Sequence, residues 1–172
     1  MDVVKTQDNN RDRAFVRIVD SYQEMLLRMC YVYLRDEEQA KDAVQETFLK
    51  VYKALPSFRQ ECNEKTWLVK IAINTCRSMQ RSAWFRHVDR RITPDQIPGV
   101  SRMELEDELG VMCEIMRLPP KLKEVIMLYY WKDMTTSEIA IALGLPQSTV
   151  TNRLKRARDK LQILLEGSGL GG

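Results

Sequence analysis

The stretch TTSEIAIALGLPQSTVTNRLKRARDKL, Thr135 to Leu161, constrains the fold more than any other, because helix start and stop signals alternate in it at fixed spacing. Thr135 with Glu138 makes a capping box, and Gly144 can take the left-handed geometry that stops the short helix so begun. Pro146 then suits the first position of a new helix, where its missing N–H costs nothing. Ile139 and Leu143 face the core from the first helix, and Val150, Leu154, Ala157, Leu161 and Leu164 repeat at steps of four and three along the second. This is helix-turn-helix spacing.

The buried stripe leaves Gln147, Ser148, Thr149, Asn152, Arg153 and Arg156 outward, with Lys155 and Lys160 at the edges. Short hydroxyl and amide side chains at the start of such a helix can meet base edges in the major groove. Arg153 can fork onto a guanine or pair with a phosphate, and the lysines and later arginines neutralise phosphates. The charges alone would read as a solvated face, and a helical unit of this kind could also dock on a protein. The Gly144 turn, Pro146 and the Ser148-Thr149-Val150 start favour duplex DNA.

The remainder, from Arg13 to Leu165, reads as helix, turn or linker without an alternating strand pattern, so the expected fold is all-α. At 172 residues, 44% hydrophobic and 30% charged, the chain suffices for one ordinary domain or two small ones. Phe15, Ile18, Val19, Tyr22, Leu26 and Met29 keep helical spacing from Arg13 to Leu34, where Arg35 and Asp36 break the helix and start another. Asp36 can cap that second helix, with Ala40, Ala43, Val44, Thr47, Phe48 and Val51 as its core stripe. Its other face carries Asp42, Gln45, Glu46, Leu49 and Lys53. Leu55-Pro56-Ser57 is expected to end it, since a residue before proline is pushed out of helical geometry. TPDQIPGVSR, with two prolines and a glycine, has no periodicity and marks a flexible linker between two domains. Beyond it come helices from about Glu104 to Arg117 and from Lys121 to Trp131, separated by Leu118-Pro119-Pro120.

In KTWLVKIAINTCRSMQR, Lys65 to Arg81, one helical stripe is apolar: Leu68, Ile71, Ala72, Thr75 and Met79. A second holds Trp67, Lys70, Asn74, Arg77 and Arg81, which are aromatic, amide-bearing or cationic, with no acid among them. The net charge is +3, yet bases cluster from Lys70 to Arg91 and again in RLKRARDK, with the acids Glu104, Glu106, Asp107 and Glu108 between. Two basic patches point to two contacts with a polyanion.

Several functions are disfavoured. Cys30, Cys62, Cys76 and Cys113 form no CxxC pair and His87 is the only histidine, so neither a disulfide nor a metal is expected. One histidine leaves most acid–base chemistry without its usual player; no catalytic residue and no cofactor are assigned. No apolar run approaches the roughly 18 residues of a membrane span, and MDVVKTQDNN lacks a signal-peptide pattern. A cytoplasmic location is expected.

The chain resembles a bacterial RNA polymerase sigma factor of the sigma-70 family, in its extracytoplasmic-function (ECF) class. DAVQETFLKVYKALPSFR (Asp42 to Arg59), KTWLVKIAINTCRS (Lys65 to Ser78) and LPPKLKEVIMLYYWKDMTTSEIAIALGLPQSTVTNRLKRARDKL (Leu118 to Leu161) carry the resemblance. It implies a flexible N-terminus over 1–12, a region 2 helical bundle over 13–82 and a linker over 83–103. A region 4 helix-turn-helix would follow over 104–166; by composition alone, the glycine-rich residues 167–172 are expected to be a disordered tail. It also implies partners: core RNA polymerase through the beta-prime clamp helices and the beta flap, promoter DNA, and an anti-sigma factor, often a membrane-anchored one.

Residue by residue, Asp42, Gln45, Glu46 and Leu49 match the face that docks on the clamp helices. An ordinary solvated face would look the same in sequence. Arg59, Gln60, Glu61, Cys62 and Asn63 fall in the loop that captures a flipped base of the minus-ten element on the non-template strand. Asn74 falls where the family reads a base, with Lys70, Arg77 and Arg81 placed for phosphates. Gln147, Ser148, Thr149, Asn152, Arg153, Lys155 and Arg156 would read the minus-thirty-five duplex.

Three positions depart from the common pattern. Gln60 stands where many members have glycine, which puts the loop's backbone path in question; Thr151 stands where a base is common; and Trp67 can be a DNA contact or an anchor of the loop. Two rival functions remain. A helix-turn-helix regulator working without the polymerase would bind duplex tightly by itself. A nucleic-acid hydrolase would need carboxylates clustered on a metal, whereas Glu104 to Glu108 looks like a helix face beside the linker.

Overall fold

The computed structural model describes residues 2–81 and 106–169. The chain divides into two compact units, residues 1–90 and 91–172. The expected linker over 83–103, with Arg86, His87, Arg90 and Arg91, lies outside the described residues, as do Glu104 and residues 170–172. Among the described residues there are α-helices and no strand.

The first unit is a three-helix bundle of α1 (Asp2–Leu34), α2 (Glu37–Ala54) and α3 (Glu64–Arg81). Helix α1 begins well before Arg13, so residues 2–12 are helical, where the sequence pattern starts the helix at Arg13. Its early residues find partners on α2. Arg11 Nη2 donates to the Tyr52 carbonyl at 3.1 Å with the guanidinium 3.8 Å from the ring centroid, and Tyr52 Oη donates to Asp12 at 2.9 Å. Arg35 ends α1 in the left-handed region (φ 55), its N–H reaching back to the Tyr31 carbonyl at 2.7 Å. Asp36 then caps α2 as expected, Oδ1 accepting from Gln39 N at 3.0 Å, an arrangement worth about 1 kcal/mol.

Helix α2 buries Ala40, Ala43, Thr47, Phe48 and Val51, whereas Val44 stays half-buried at the edge. Leu55 does not leave helical geometry (φ −53, ψ −41), contrary to expectation. The chain tightens into a 3-10 turn over Leu55–Ser57 with Pro56 in its first turn, where no N–H is required. The bundle closes around Ile18, Leu26, Met29, Val51, Leu68 and Ile73, all fully buried.

The second unit is built from α4 (Glu106–Arg117), α5 (Pro120–Ile126), α6 (Thr136–Leu143) and α7 (Gln147–Gly167). The helix expected to run to Trp131 changes pitch at Met127, and Met127–Trp131 form a π-type turn. Met134 N–H closes that turn onto the Leu128 carbonyl at 3.2 Å, after Asp133 reverses the chain at φ 49. The capping box of α6 is complete: Glu138 N donates to Thr135 Oγ1 at 3.2 Å and Thr135 N to Glu138 Oε2 at 2.8 Å. Gly144 takes the left-handed conformation (φ 65, ψ 40), and Leu145 N–H caps the Ala140 carbonyl at 3.0 Å.

Pro146 stands one position earlier than expected. It is the N-cap of α7, its ψ of 142 still extended, and its carbonyl accepts from Thr149 N at 3.0 Å and Val150 N at 3.2 Å. Val150, Leu154 and Ala157 are buried, while Leu161 and Leu164 are half-buried where α7 outruns its neighbours. Gly167 is helical, so the expected disordered tail does not begin there.

Candidate nucleic-acid interface

Three surfaces gather the residues singled out above. The first is the loop between the 3-10 turn and α3. Arg59, Gln60, Glu61 and Asn63 are exposed and Cys62 is half-buried. Gln60 adopts φ 55, the region glycine favours, so an amide side chain is displayed from a backbone geometry that glycine would also take. Phe58 and Trp67 stack with ring centroids 4.3 Å apart and planes 18° from parallel. Trp67 therefore anchors the loop to α3 through one face of its ring. Asn63 is also committed locally. Its Oδ1 accepts from Thr66 N at 2.7 Å and its carbonyl from Trp67 N at 3.1 Å, which makes it the cap of α3.

Glu64, the first residue of α3, is held by α1. Arg17 Nη1 and Nη2 donate to its two carboxylate oxygens at 3.0 and 2.6 Å. The hydrogen bond from Arg17 holds the Glu64 carboxyl below its ordinary value, and Tyr22 also hydrogen-bonds it. Thr66 is fully buried with its hydroxyl unpaired.

Beyond the loop, α3 buries Thr66, Leu68, Val69, Ala72, Ile73, Thr75 and Cys76. The buried face differs from the expected stripe: Ile71 and Met79 are half-buried at its margin, while Val69, Ile73 and Cys76 point inward. Packing against both α1 and α2 requires a wider apolar face than one stripe supplies. Lys70, Asn74 and Arg81 are exposed and Arg77 is half-buried, all along the opposite face. Within the core, a hydrogen bond with Cys76 and burial push the Cys30 thiol up, away from reactivity.

The second surface lies on α2, where Asp42, Gln45, Glu46 and Leu49 are all exposed along one face. Leu49 is 56% exposed, a large apolar side chain in the open one turn beyond Glu46. Lys50 beside it lies 3.5 Å from Glu46 and donates to Thr75 Oγ1 of α3 at 3.1 Å.

The third surface is the helix-turn-helix. Ser148, Asn152, Lys155 and Arg156 are exposed on α7, and Thr149 and Arg153 are half-buried. Gln147 is exposed, but its Nε2 donates to Thr136 Oγ1 at 3.0 Å and ties the start of α7 to that of α6. Thr151 turns its hydroxyl back to the Gln147 carbonyl at 3.0 Å. Arg158 Nε donates to Tyr130 Oη at 2.8 Å, its guanidinium 5.1 Å and 5.5 Å from the rings of Tyr129 and Tyr130. Sequence reasoning missed the Arg158–Tyr130 and Gln147–Thr136 contacts, and the Arg17–Glu64 pair, because no local spacing links such distant positions.

A hollow of about 460 Å³ lined by Tyr129, Tyr130, Asp133, Met134, Thr135 and Thr136 contains one carboxylate and no histidine. Among the described residues no three His, Cys, Asp or Glu side chains are grouped to hold a metal ion. No described helix is long and apolar enough to cross a membrane.

Comparison with known proteins accounts for the two units. Sigma-70 region 2 matches residues 18–86, and Sigma-70, region 4 matches residues 109–161. The RNA polymerase sigma-H factor of Pseudomonas aeruginosa is 30% identical over 168 residues, covering 90% of this chain and 87% of that one. The chain belongs to the sigma-70 family of RNA polymerase sigma factors.

The sigma factor is of the ECF class. It is 28% identical over 163 residues to the ECF RNA polymerase sigma factor SigW of Bacillus subtilis, covering 87% of each chain. Its fold is similar to that of the sigma factor RpoE, solved in complex with the anti-sigma factor NepR from Bartonella quintana. The TM-score is 0.65 at 25% identity, over 86% of this chain and 98% of that one. The first unit of the sigma factor is thus region 2 and the second region 4, and a helix-turn-helix regulator independent of the polymerase is set aside.

Proposed function

We propose that this sigma factor directs core RNA polymerase to promoters by dividing the work among its three surfaces. Asp42, Gln45, Glu46 and Leu49 dock on the clamp helices of the beta-prime subunit. The loop at residues 59–63 receives an unpaired base of the minus-ten element, Asn74 reads a neighbouring base, and Lys70, Arg77 and Arg81 hold phosphates. Ser148, Thr149, Asn152, Arg153, Lys155 and Arg156 read the minus-thirty-five duplex, while Gln147 and Asn63 position their helices. Region 4 also meets the beta flap.

The observation that carries this reading is the face of α3. Lys70, Asn74, Arg77 and Arg81 share one side of it directly after an anchored loop, with the apolar core on the other. A melted strand offers unstacked bases for hydrogen bonds and a charged backbone for cations, so binding it preferentially stabilises the open promoter. The sigma factor contributes no catalytic group, and the polymerase performs the chemistry. Tethering two DNA modules on one chain raises their joint affinity through effective concentration.

The sigma factor acts in the cytoplasm and is held from the polymerase by an anti-sigma factor, a reading supported by the complex of RpoE with NepR. Run-off transcription with core polymerase and a promoter library tests the whole. Added protein is expected to direct initiation, Asn74→Ala to change which minus-ten sequences are used, and Arg77→Ala to weaken all of them alike. Absence of directed initiation overturns the proposal.

A further inference from the structure

The loop at residues 59–63 carries a backbone cost. Gln60 sits at φ 55, where a side chain is disfavoured, and such a geometry persists only when its surroundings hold it. Its two ends are held by contacts of different reach. Phe58 stacks on Trp67 and Asn63 caps Thr66, so both ends are fastened to α3. The start of α3 is in turn fastened to α1, through the two-point contact of Arg17 with Glu64 at 3.0 and 2.6 Å.

Two features of that contact bear on DNA. The fork of Arg17 meets both carboxylate oxygens, which fixes the direction of the Glu64 side chain as well as its distance; a lysine would fix distance alone. Arg17 also neutralises a carboxylate adjoining a loop that already carries Glu61 and leads into the cationic face of α3. Left uncompensated, Glu64 would repel a phosphate backbone there. The side chains are 57% and 25% exposed, so the pair adds little to global stability. Its effect should appear where geometry matters more than stability.

We infer that Arg17 is a positioning residue for base capture: its forked ion pair with Glu64 holds the start of α3, and with it the loop at 59–63, in the geometry that receives an unpaired base. This rests on the reading of that loop given under Proposed function. Arg17 does not touch the strand; it acts through Glu64.

The test uses full-length protein in holoenzyme with core polymerase. The probe is promoter DNA selected by wild-type holoenzyme from a minus-ten library, with 2-aminopurine placed in turn at each position of that element. Arg17→Ala is expected to lower the fluorescence change of base capture and weaken binding of the melted strand on the order of fivefold. Arg17→Lys should fall between, polymerase binding and the thermal midpoint should stay near wild type, and the exchanged pair Arg17→Glu with Glu64→Arg should recover most of the signal. Glu64→Gln separates positioning from charge. Positioning predicts a loss, whereas simple removal of a repelling carboxylate predicts a gain, and a gain overturns the inference. If wild type captures a base and Arg17→Ala captures it equally, the inference fails and the reading of the loop stands. If no base is captured by wild type, both fail together.

Discussion

The two DNA-facing units of this sigma factor reach their geometry by opposite routes. In region 4 the helix proposed to read duplex is aimed mainly by neighbours in sequence: the Thr135–Glu138 box starts α6, Gly144 stops it, and the Pro146 carbonyl receives the Thr149 and Val150 N–H groups of α7. In region 2 the corresponding surface is aimed by partners far along the chain. Arg17 reaches Glu64 across 47 positions, Arg11 reaches Tyr52 across 41, and Lys50 reaches Thr75 across 25. Local aiming makes a surface sensitive to backbone-compatible residue types. Distant aiming makes it sensitive to the bundle that brings the partners together.

The largest effect that could break this contrast is at Gly144. Its φ of 65 disfavours any side chain, yet a Cβ there would meet nothing within 4 Å. Gly144→Val should therefore cost about 2 kcal/mol through backbone strain alone, measurable by urea unfolding, with duplex affinity lost. A negligible cost would mean the turn is set by packing. Trp67→Ala should cost about 1.5 kcal/mol, since a half-buried stacked ring is removed, and should speed amide exchange in residues 59–63, whereas Trp67→Phe should retain most of both. Unchanged exchange would show that the stack does not anchor the loop.

Smaller effects sharpen the contrast. Thr135→Ala should cost about 1 kcal/mol and fray α6. Glu64→Gln should cost about 0.5 kcal/mol at neutral pH, discounted for the exposure of Arg17. The Arg17 hydrogen bond lowers the folded-state pKa of Glu64, so this contribution is present above the unfolded-state value and is lost as pH falls through the folded one. The gap between wild type and Glu64→Gln in urea unfolding should hence close on acidification below about pH 4, and a constant gap would assign it to packing.

The same division explains what could be read from sequence. The Asp36 cap, the α6 box, the Gly144 turn and the outward faces of α2, α3 and α7 depend on residues three or four apart, and they stand where periodicity put them. The helical start before Arg13 was not legible because Arg11 and Asp12 take their partner, Tyr52, from another helix. The buried face of α3 was misjudged at Val69, Ile73 and Cys76 because the number of helices packed on it is a tertiary fact. Pro146 was misplaced by one position since its ring fixes φ alone, and ψ separates a cap from a first turn. Asn63 is assigned to the minus-ten loop by the resemblance and Gln147 to the outward face of α7 by spacing, and neither signal shows that their amides are engaged by Thr66 and Thr136. Arg17 carried no sequence signal because its meaning is a distance.

Arg35, Gln60 and Asp133, with φ of 55, 55 and 49, place non-glycine residues at three joints between helices. Each costs free energy in the native state, and each also narrows the range of shapes open to the denatured chain at that joint, which offsets part of that cost by roughly 0.4–1 kcal/mol. A glycine there would relax the folded turn while widening the ensemble from which it must form. These three residues therefore leave the joints less to search for on folding, at a cost in the folded turn.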